Sequence, residues 1–228
     1  MKKTDVIIPV YNEERSIGLV IGDIPKDDVN EIVVVNNLST DNSADVAKNA
    51  GATVIDQDQR GYGNACLKGI EYINSKSDKP DIVVFLDGDY SDHPEELPLL
   101  LKPIVEEDYD LVIGSRATGS QEKGAMLPQA VFGNLLATFL IRLFYGYRFT
   151  DLGPFRAIKY DSLISLGMED KTFGWTVEMQ VKALKKGLKC TEVPVSYRKR
   201  IGVSKITGTL TGTVKAGYKI IWTIFKYL

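Results

Sequence analysis

Short, continuous apolar runs alternate with longer amphipathic stretches through the first half of this 228-residue chain. Strands that are apolar on both sides must be covered on both faces, and a helix between two of them provides the crossover that parallel pairing requires. The pattern therefore predicts an α/β fold, with an open, mostly parallel sheet and helices on both faces. The predicted strands cover residues 5–10, 31–35, 52–55, 81–86 and 110–114.

Polar residues follow four of these strands. In an open parallel sheet the carboxyl ends of the strands lie along one edge, and ligands bind there. We therefore expect these polar residues to converge on one crevice. They are Pro9, Tyr11 and Glu13 after the first strand, Asn36 and Asn37 after the second, Asp87 and Asp89 after the fourth, and Ser115 and Arg116 after the fifth.

Asp87 and Asp89 flank a single glycine directly after a buried strand. Two carboxylates on a tight turn offer the hard oxygen ligands of Mg²⁺ or Mn²⁺, ions that also bind substrate phosphates. A plain Asp-Gly turn and an Asp cap on the helix expected near Pro94 are the alternatives. The neighbouring strand ends favour the metal site, with Asp87 and Asp89 as its ligands and Ser91 close by.

The segment Arg60-Gly61-Tyr62-Gly63 lacks the third glycine of a dinucleotide-binding loop, and it follows the third strand rather than the first. It is better explained as flexible backbone that approaches a ligand, with Arg60 near the ligand's phosphates. The chain has no Gly-Lys-Ser/Thr phosphate loop and no Gly-x-Ser-x-Gly motif, and His93 is its only histidine. An ATPase and a Ser-His hydrolase are therefore disfavoured.

Charge is unevenly distributed, although the formal net charge is only −2. Residues 182–228 hold eleven Lys and Arg and a single acid, Glu192. A basic end suggests contact with phosphates, on a ligand, a membrane surface or a nucleic acid.

Cys66 and Cys190 lie far apart without metal-ligand spacing, which predicts buried thiols in a reducing compartment. The first apolar run is too short for a signal peptide, so we expect the protein inside the cell.

Several segments together resemble family 2 glycosyltransferases of the GT-A fold. These segments are Val10-Tyr11-Asn12-Glu13, Ser39-Thr40-Asp41, Asp87-Gly88-Asp89 and Gly114-Ser115-Arg116. The second half is similar to dolichol-phosphate mannosyltransferases and related polyprenyl-phosphate sugar transferases. The similar segments there are Asp151-Leu152-Gly153-Pro154-Phe155-Arg156, Val177-Glu178-Met179, Glu192-Val193-Pro194-Val195 and Arg200-Ile201-Gly202-Val203-Ser204-Lys205. The resemblance covers nearly the whole chain, and it implies an inverting transfer of one hexose from a nucleotide diphosphate sugar onto a lipid phosphate.

The resemblance also implies which residues bind the donor. Asp89 would be the main metal ligand, and Asp87 would contact the ribose or the metal. The remaining residues on this side would be Ser91 near the metal, Pro9, Tyr11 and Glu13 at the nucleoside, and Asn36, Asn37 and Arg60 around them.

Two positions depart from the family pattern. The family usually has paired aspartates where this chain has Asn36-Asn37. An Asn amide can accept from uracil N3–H and donate to O4, whereas the adjacent N–H donors of guanine favour a carboxylate. We therefore predict a UDP-sugar donor rather than GDP-mannose. The Gly153-Pro154 segment is one residue shorter than the mannosyltransferase pattern, so the acceptor pocket is expected to differ.

Cationic residues are implied at the phosphates. Arg116, Arg200, Ser204 and Lys205 would contact the donor's diphosphate or the acceptor's phosphate, and Arg156 would contact substrate. A metal with Arg and Lys would stabilise the charge that gathers on the leaving diphosphate. A phosphate acceptor is already anionic, so it needs orientation more than a base.

Glu178 is the candidate base if the acceptor is instead a hydroxyl. The alternative is that Glu178 is a buried partner for a nearby cation. With Glu178 as base, the implied catalytic residues are Asp89, Arg116, Glu178, Arg200 and Lys205.

Two stretches predict contact with a membrane surface. Residues 124–141 are uncharged and long enough to span a bilayer, but they contain Pro128 and Asn134 and lie inside the catalytic domain. We expect a buried or interfacial helix that meets the acceptor's lipid tail. The last helix, about residues 213–228, places its lysines beside an apolar face, which is typical of a helix lying in an anionic membrane surface. An ordinary helix packed on the domain is the alternative.

We therefore predict a GT-A domain over residues 1–208 and a membrane-interfacial helix over 209–228. Related transferases often carry spanning helices at the C-terminus, and this chain ends before any could occur. We expect a peripheral protein on the cytoplasmic face of a membrane. A transferase acting on a soluble or glycan hydroxyl, and a nucleotide-binding module or nucleotidyltransferase, are the rival functions. No nucleic-acid partner is expected, because the lysines interleave with a broad apolar surface.

Overall fold

The computed structural model describes residues 2–202 and 210–228, and in these ranges the chain folds around one seven-stranded sheet. The strands are β1 (Thr4–Val10), β2 (Glu31–Asn36), β3 (Thr53–Asp56), β4 (Ile82–Phe85), β5 (Leu111–Ser115), β6 (Arg156–Lys159) and β7 (Cys190–Pro194). The α-helices are α1 (Ile17–Asp23), α2 (Ser43–Asn49), α3 (Tyr62–Ser75), α4 (Leu97–Glu107), α5 (Pro128–Tyr145), α6 (Tyr160–Leu166), α7 (Trp175–Lys185) and α8 (Leu210–Lys226).

The strands follow the order β3-β2-β1-β4-β6-β5-β7 across the sheet. All pairs are parallel except those of β6, which is antiparallel to both β4 and β5. The predicted α/β fold with an open, mostly parallel sheet is therefore confirmed, and all five predicted strands are present. β6 and β7 were not predicted. With only four residues, two of them charged, β6 shows no apolar run in the sequence.

Helices cover both faces of the sheet, because neighbouring residues of a strand point to opposite sides. Ile7 of β1 packs in a core cluster with Trp175 of α7 and Ile224 of α8. Its neighbours Val6 and Ile8 pack in a second cluster, with residues of α1 and α4. The two cores hold the strands in register, and so they fix where the carboxyl ends of the strands lie.

α5 and α8 pack side by side on one of these faces. The rings of Phe144 and Phe225 meet edge to face, with 5.2 Å between their centroids. Ile141 and Ile224 are fully buried, so both helices contribute to the core of the sheet domain. Within residues 2–202 and 210–228, no helix is both long enough and apolar enough to cross a bilayer.

Candidate active site

Apart from Asp108 at the end of α4, the described residues other than glycine with positive φ all lie in the loops that follow β1, β2 and β4. They are Asn12 at 55°, Leu38 at 63° and Tyr90 at 65°. A side chain other than glycine in this region costs of order 1–3 kcal/mol, and such strain tends to gather at functional sites. The strained residues therefore indicate the same edge of the sheet that the polar strand ends predict.

The turn after β4 holds Asp87 and Asp89 close to the end of β1. Glycine suits position 88, because a Cβ atom there would lie only 3.0 Å from the side chain of Val10. Asp89 is only 3% exposed, and its Oδ1 accepts hydrogen bonds from the backbone N–H of Ser91 (2.9 Å) and from its hydroxyl (2.5 Å). The Oδ2 atom of Asp89 forms an ion pair with Arg200. The structure therefore brings Asp89, Ser91 and Arg200 together at this turn.

The donor atoms of this turn fit a divalent ion. Oδ1 of Asp87 is buried and has no hydrogen-bond partner among the described residues. An orphaned carboxylate oxygen beside the Asp89 carboxylate is the hard donor set that Mg²⁺ and Mn²⁺ prefer. No group of three acidic, His or Cys side chains converges within the described ranges. Phosphate oxygens and water would therefore have to supply the other ligands.

Residues 196–201 run alongside this turn, and this segment is called the strap below. The backbone N–H of Arg198 donates to the carbonyl of Ser91 (2.9 Å), and that of Ile201 donates to the carbonyl of Asp89 (3.0 Å). The guanidinium of Arg198 also stacks on the ring of Tyr90, 3.5 Å from its centroid. The strap thus carries Arg200 to Asp89. Ser204 and Lys205, which were predicted to act at the phosphates, lie outside the described residues.

Arg116 is held by Asp151. Its Nε and Nη2 donate to the two carboxylate oxygens of Asp151 at 2.8 and 2.7 Å, and its backbone N–H donates to the same carboxylate. This bidentate pair fastens the end of β5 to the segment before β6. Contact between Arg116 and a ligand phosphate stays a prediction, since the guanidinium of Arg116 already binds the carboxylate of Asp151.

The substrate-binding assignment of Arg156 is wrong. Its side chain is fully buried, and its guanidinium donates to the backbone carbonyls of Leu152, Gly153 and Thr176. Burial lowers its pKa to about 10. Arg156 therefore ties the segment before β6 to the start of α7, and it has no surface with which to meet a substrate.

Glu178 is also a structural residue. It is fully buried in α7, and its carboxylate forms an ion pair with Lys182 at 2.8 Å. It also accepts from the backbone N–H of Asp170 (2.8 Å) and from the hydroxyl of Tyr227 (2.8 Å). A base must reach its substrate, and this carboxylate is enclosed by the donors of its own chain. The alternative, a buried partner for a nearby cation, is the correct one.

The amides of Asn36 and Asn37 hold the chain's own loops. Oδ1 of Asn37 accepts from the N–H of Gly61 (2.9 Å), while its Nδ2 donates to the carbonyl of Gln59 (2.6 Å). Oδ1 of Asn36 accepts from the N–H of Ser39 (3.1 Å), and its Nδ2 donates to Asp56 (2.8 Å). Reading of uracil by Asn36 and Asn37 stays a prediction, in which each amide oxygen would use its second lone pair, since each already accepts one backbone N–H.

A polar cavity of about 600 Å³ opens beside these amides, between the ends of β2 and β3. Leu38, Asp56 and Gln57 are among the residues that line it. The sequence analysis missed Asp56 and Leu38. Asp56 directly follows the third predicted strand, so its position at a strand end was the signal that could have identified it. The positive φ of Leu38 has no counterpart in the sequence pattern.

The side chains of Tyr11 and Arg60, both predicted to lie near the donor, contact each other. Nη2 of Arg60 donates to the hydroxyl of Tyr11 (2.7 Å), and its guanidinium lies 4.4 Å from the centre of that ring. Pro9 lies within β1, opposite Val35 of β2. The backbone N–H of Glu13 donates to the hydroxyl of Ser43 (2.7 Å), which fixes the loop after β1.

The glycines of Arg60-Gly61-Tyr62-Gly63 accommodate the protein's own backbone. A Cβ atom at Gly61 or Gly63 would collide with the carbonyl of Lys171 or Asp170. The same loop caps α3, since the N–H of Asn64 donates to the carbonyl of Lys171 (3.0 Å). Internal packing therefore explains these glycines, and the approach of this loop to a ligand stays a prediction.

Asp92 is a buried acid that the sequence analysis did not identify. It is 1% exposed, and neither of its carboxyl oxygens has a hydrogen-bond partner among the described residues. Burial, together with the nearby charge of Asp87, raises its pKa to about 7. Asp92 therefore lowers the free energy of unfolding at any pH at which it is ionised.

Replacing Asp92 by Asn is expected to stabilise the protein at pH 8 in EDTA. Because the pKa is raised on folding, the cost of ionisation appears as the pH rises from the unfolded value to about 7, and it is absent below that window. Three pKa units correspond to at most about 4 kcal/mol. The melting temperature of the variant should rise by several degrees at pH 8 and by much less at pH 4.5. An equal rise at both pH values would contradict this explanation.

Known proteins resemble this chain over most of its length. The sequence profile described as Glycosyl transferase family 2 matches residues 5–167. A dolichyl-phosphate hexose transferase of Haloferax volcanii is 32% identical over 204 residues, which cover 88% of this chain and 85% of that protein. An undecaprenyl-phosphate mannosyltransferase of Micrococcus luteus is 30% identical over 224 residues, which cover 90% of this chain and 88% of that protein.

The fold also has counterparts among solved structures. Glucosyl-3-phosphoglycerate synthase from Mycobacterium tuberculosis, in complex with Mn²⁺, UDP-glucose and phosphoglyceric acid, superposes with a TM-score of 0.79. The alignment covers 99% of this chain and 79% of that one, at 22% identity. The predicted GT-A fold is therefore confirmed.

Proposed function

The chain belongs to glycosyl transferase family 2, and from that premise we propose that it transfers a hexose, with inversion, from a nucleotide diphosphate sugar to a polyprenyl phosphate. The observation that carries this proposal is the turn of Asp87 and Asp89, with an orphaned carboxylate oxygen and Arg200 at the carboxyl edge of the sheet. Such a turn suits a metal-bound diphosphate. The reaction would take place at the cytoplasmic face of a membrane.

The residues of the site suit such a transfer. A bound Mg²⁺ or Mn²⁺ would neutralise the charge that develops on the leaving nucleoside diphosphate. Asp87 and Asp89 would hold that ion, and Arg200 would supply positive charge from the strap. Tyr11 and Arg60, which contact each other, would bind the nucleoside. The acceptor phosphate is anionic at neutral pH, so the transfer needs no general base. The burial of Glu178 is therefore compatible with the reaction.

A broad apolar surface on α5 and α8 supports a lipid acceptor. We call it the α5–α8 face, and its exposed members are Phe132, Leu135, Phe139, Leu143, Val214, Tyr218, Trp222 and Phe225. The two helices touch through Phe144 and Phe225, so the surface is continuous. Contiguous exposed apolar surface of this kind, with aromatic residues in it, suits a helix pair lying in a lipid interface.

Two of the three lysines of α8 form ion pairs within the protein, whereas Lys215 is exposed. Lys219 forms an ion pair with Asp170 at 2.9 Å, and Lys226 forms one with Glu169 at 3.1 Å. These two lysines bind acids of the loop before α7, so they are not directed at anionic lipids. The proposed membrane contact therefore rests on the apolar residues of the α5–α8 face.

The relatives support the same acceptor class. The names of the Haloferax and Micrococcus proteins designate dolichyl phosphate and undecaprenyl phosphate, and both align with about nine-tenths of this chain. The synthase of similar fold binds phosphoglyceric acid together with UDP-glucose. A UDP-sugar donor is part of the proposal, with the amides of Asn36 and Asn37 as the residues that would contact the uracil.

Radiolabelled donors test this proposal. The full chain is incubated with Mn²⁺, a polyprenyl phosphate, and either UDP-glucose or GDP-mannose carrying the label, and the mixture is then extracted with organic solvent. We expect label in the organic phase with the UDP-sugar. A parallel reaction with 3-phosphoglycerate in place of the lipid should yield no labelled glycosyl-phosphoglycerate. Transfer to 3-phosphoglycerate alone would overturn the lipid acceptor, and transfer from GDP-mannose alone would overturn the donor.

A further inference from the structure

Arg200 lies where a metal ion would have to bind Asp89. We propose that Arg200 serves as an internal counter-cation of the metal site: it neutralises Asp89 in the metal-free protein and leaves that carboxylate when a divalent ion binds. This inference rests on the metal site of the proposed function. It concerns how the chain's own residues prepare that site.

Burial explains why Asp89 needs such a partner. The carboxylate is almost fully buried, and Ser91 satisfies only its Oδ1 atom. A buried charge without a partner is strongly destabilising, whereas a paired one is tolerated. Arg200 provides the pairing at Oδ2, and about a third of its own side chain still reaches solvent. It can therefore neutralise Asp89 without being locked in the core.

The strap allows Arg200 to leave without unfolding anything. Its backbone is anchored on both sides of Arg200, by the Arg198–Ser91 hydrogen bond and by the Ile201–Asp89 hydrogen bond. The long side chain of Arg200 can rotate away while these bonds persist. Once released, its guanidinium remains tethered beside the site, where a diphosphate would lie.

Competition follows from the shared oxygen. A guanidinium and a divalent cation cannot both contact Oδ2 of Asp89 without strong repulsion between like charges. Arg200 must therefore weaken metal binding in the absence of a nucleotide. A diphosphate that attracts Arg200 away would strengthen metal binding. The bound metal would strengthen diphosphate binding by the same factor, because such linkage is reciprocal. The site would then hold its ion firmly only when donor is present.

Binding of Mn²⁺ alone, without nucleotide, tests this inference. The affinity is measured by titration calorimetry or by the paramagnetic resonance of free Mn²⁺, for the full chain and for Arg200→Ala and Arg200→Gln. We expect both variants to bind Mn²⁺ about tenfold more tightly, within the range of ordinary coupling between sites. Arg200→Lys keeps the positive charge and should stay near the unmodified protein.

Lys199→Ala is the matched control. Lys199 lies next to Arg200 on the strap and pairs with Glu122 at 3.6 Å, so its removal takes away the same charge without touching Asp89. Its affinity for Mn²⁺ should change by less than about twofold, because exposed charges are screened. If Arg200→Ala and Arg200→Gln bind Mn²⁺ no more tightly than Lys199→Ala does, the inference is overturned.

Thermal melting gives a second readout that does not depend on sugar transfer. In EDTA, Arg200→Ala should melt below the unmodified protein, because Asp89 is left buried and unpaired. Saturating Mn²⁺ should raise the melting temperature of the variant by more than that of the unmodified protein. Equal shifts in the two proteins would contradict the inference, even if sugar transfer is normal. If the unmodified protein transferred no sugar to polyprenyl phosphate while these unequal shifts were retained, the result would instead count against the proposed function.

Discussion

Replacing Asp89 by Asn is expected to reduce sugar transfer by at least about a thousandfold while the fold is retained. Asn has the same shape, and its side-chain oxygen can still accept the two hydrogen bonds from Ser91. What it lacks is the negative charge that would hold a divalent ion against a diphosphate. The measurement is the rate of label transfer to polyprenyl phosphate, with circular dichroism as the check on folding.

A second acid close to the same turn provides the control for Asp89. Asp23 accepts a hydrogen bond from the hydroxyl of Tyr90 (2.6 Å) and lies 3.7 Å from Arg198, but it does not contact the Asp87 and Asp89 carboxylates in the described contacts. Asp23→Asn should therefore keep transfer within a few-fold. The metal assignment would fail if Asp89→Asn kept more than about a tenth of the activity, or if both variants lost activity equally.

The combined substitution of Phe132, Phe139 and Trp222 by Ser is expected to reduce binding to lipid vesicles by at least about a hundredfold. These side chains are 68%, 60% and 52% exposed, so the change removes little from the core. Each large apolar side chain contributes about 1.5–3 kcal/mol when it is fully buried, and three of them readily account for this loss. Flotation of the protein with vesicles measures the effect.

The control for membrane binding lies on the other side of the sheet. Leu99 and Val105 are exposed on α4, whose buried residues pack in the second core cluster. Changing both to Ser should leave flotation unchanged. Because Lys219 and Lys226 are paired with acids, binding should also depend only weakly on the fraction of anionic lipid. Flotation of the triple variant at the level of the unmodified protein would remove the α5–α8 face as a membrane contact.

The sequence was sufficient for five of the seven strands and for the edge of the sheet at which the candidate site lies. An apolar run such as residues 81–86 is a local pattern, and the position of Asp87 and Asp89 follows from it once the strands are known to be parallel. β6 could not be predicted in this way, because its four residues pair with distant strands and show no periodicity of their own.

The orientation of individual side chains was not predictable. The resemblance placed Arg156 among the substrate contacts, but it could not show that its guanidinium turns inward to three backbone carbonyls. Glu178 accepts a hydrogen bond from Tyr227, a residue 49 positions later, and the sequence around Glu178 does not predict that contact. Arg116 and Asp151 are likewise 35 positions apart. Such pairings are set by the packing of whole elements, which the sequence pattern alone does not resolve.

Removing α8 to obtain a protein that is easier to handle would be a poor strategy, since this helix also supports the predicted donor side of the site. Ile224 would leave the core, and Lys219 would be withdrawn from Asp170. The loop of Asp170 and Lys171 closes the start of α3, directly after Arg60. A shortened enzyme would therefore lose nucleotide affinity together with membrane binding, and that double defect would be mistaken for a direct effect of the lipid on catalysis.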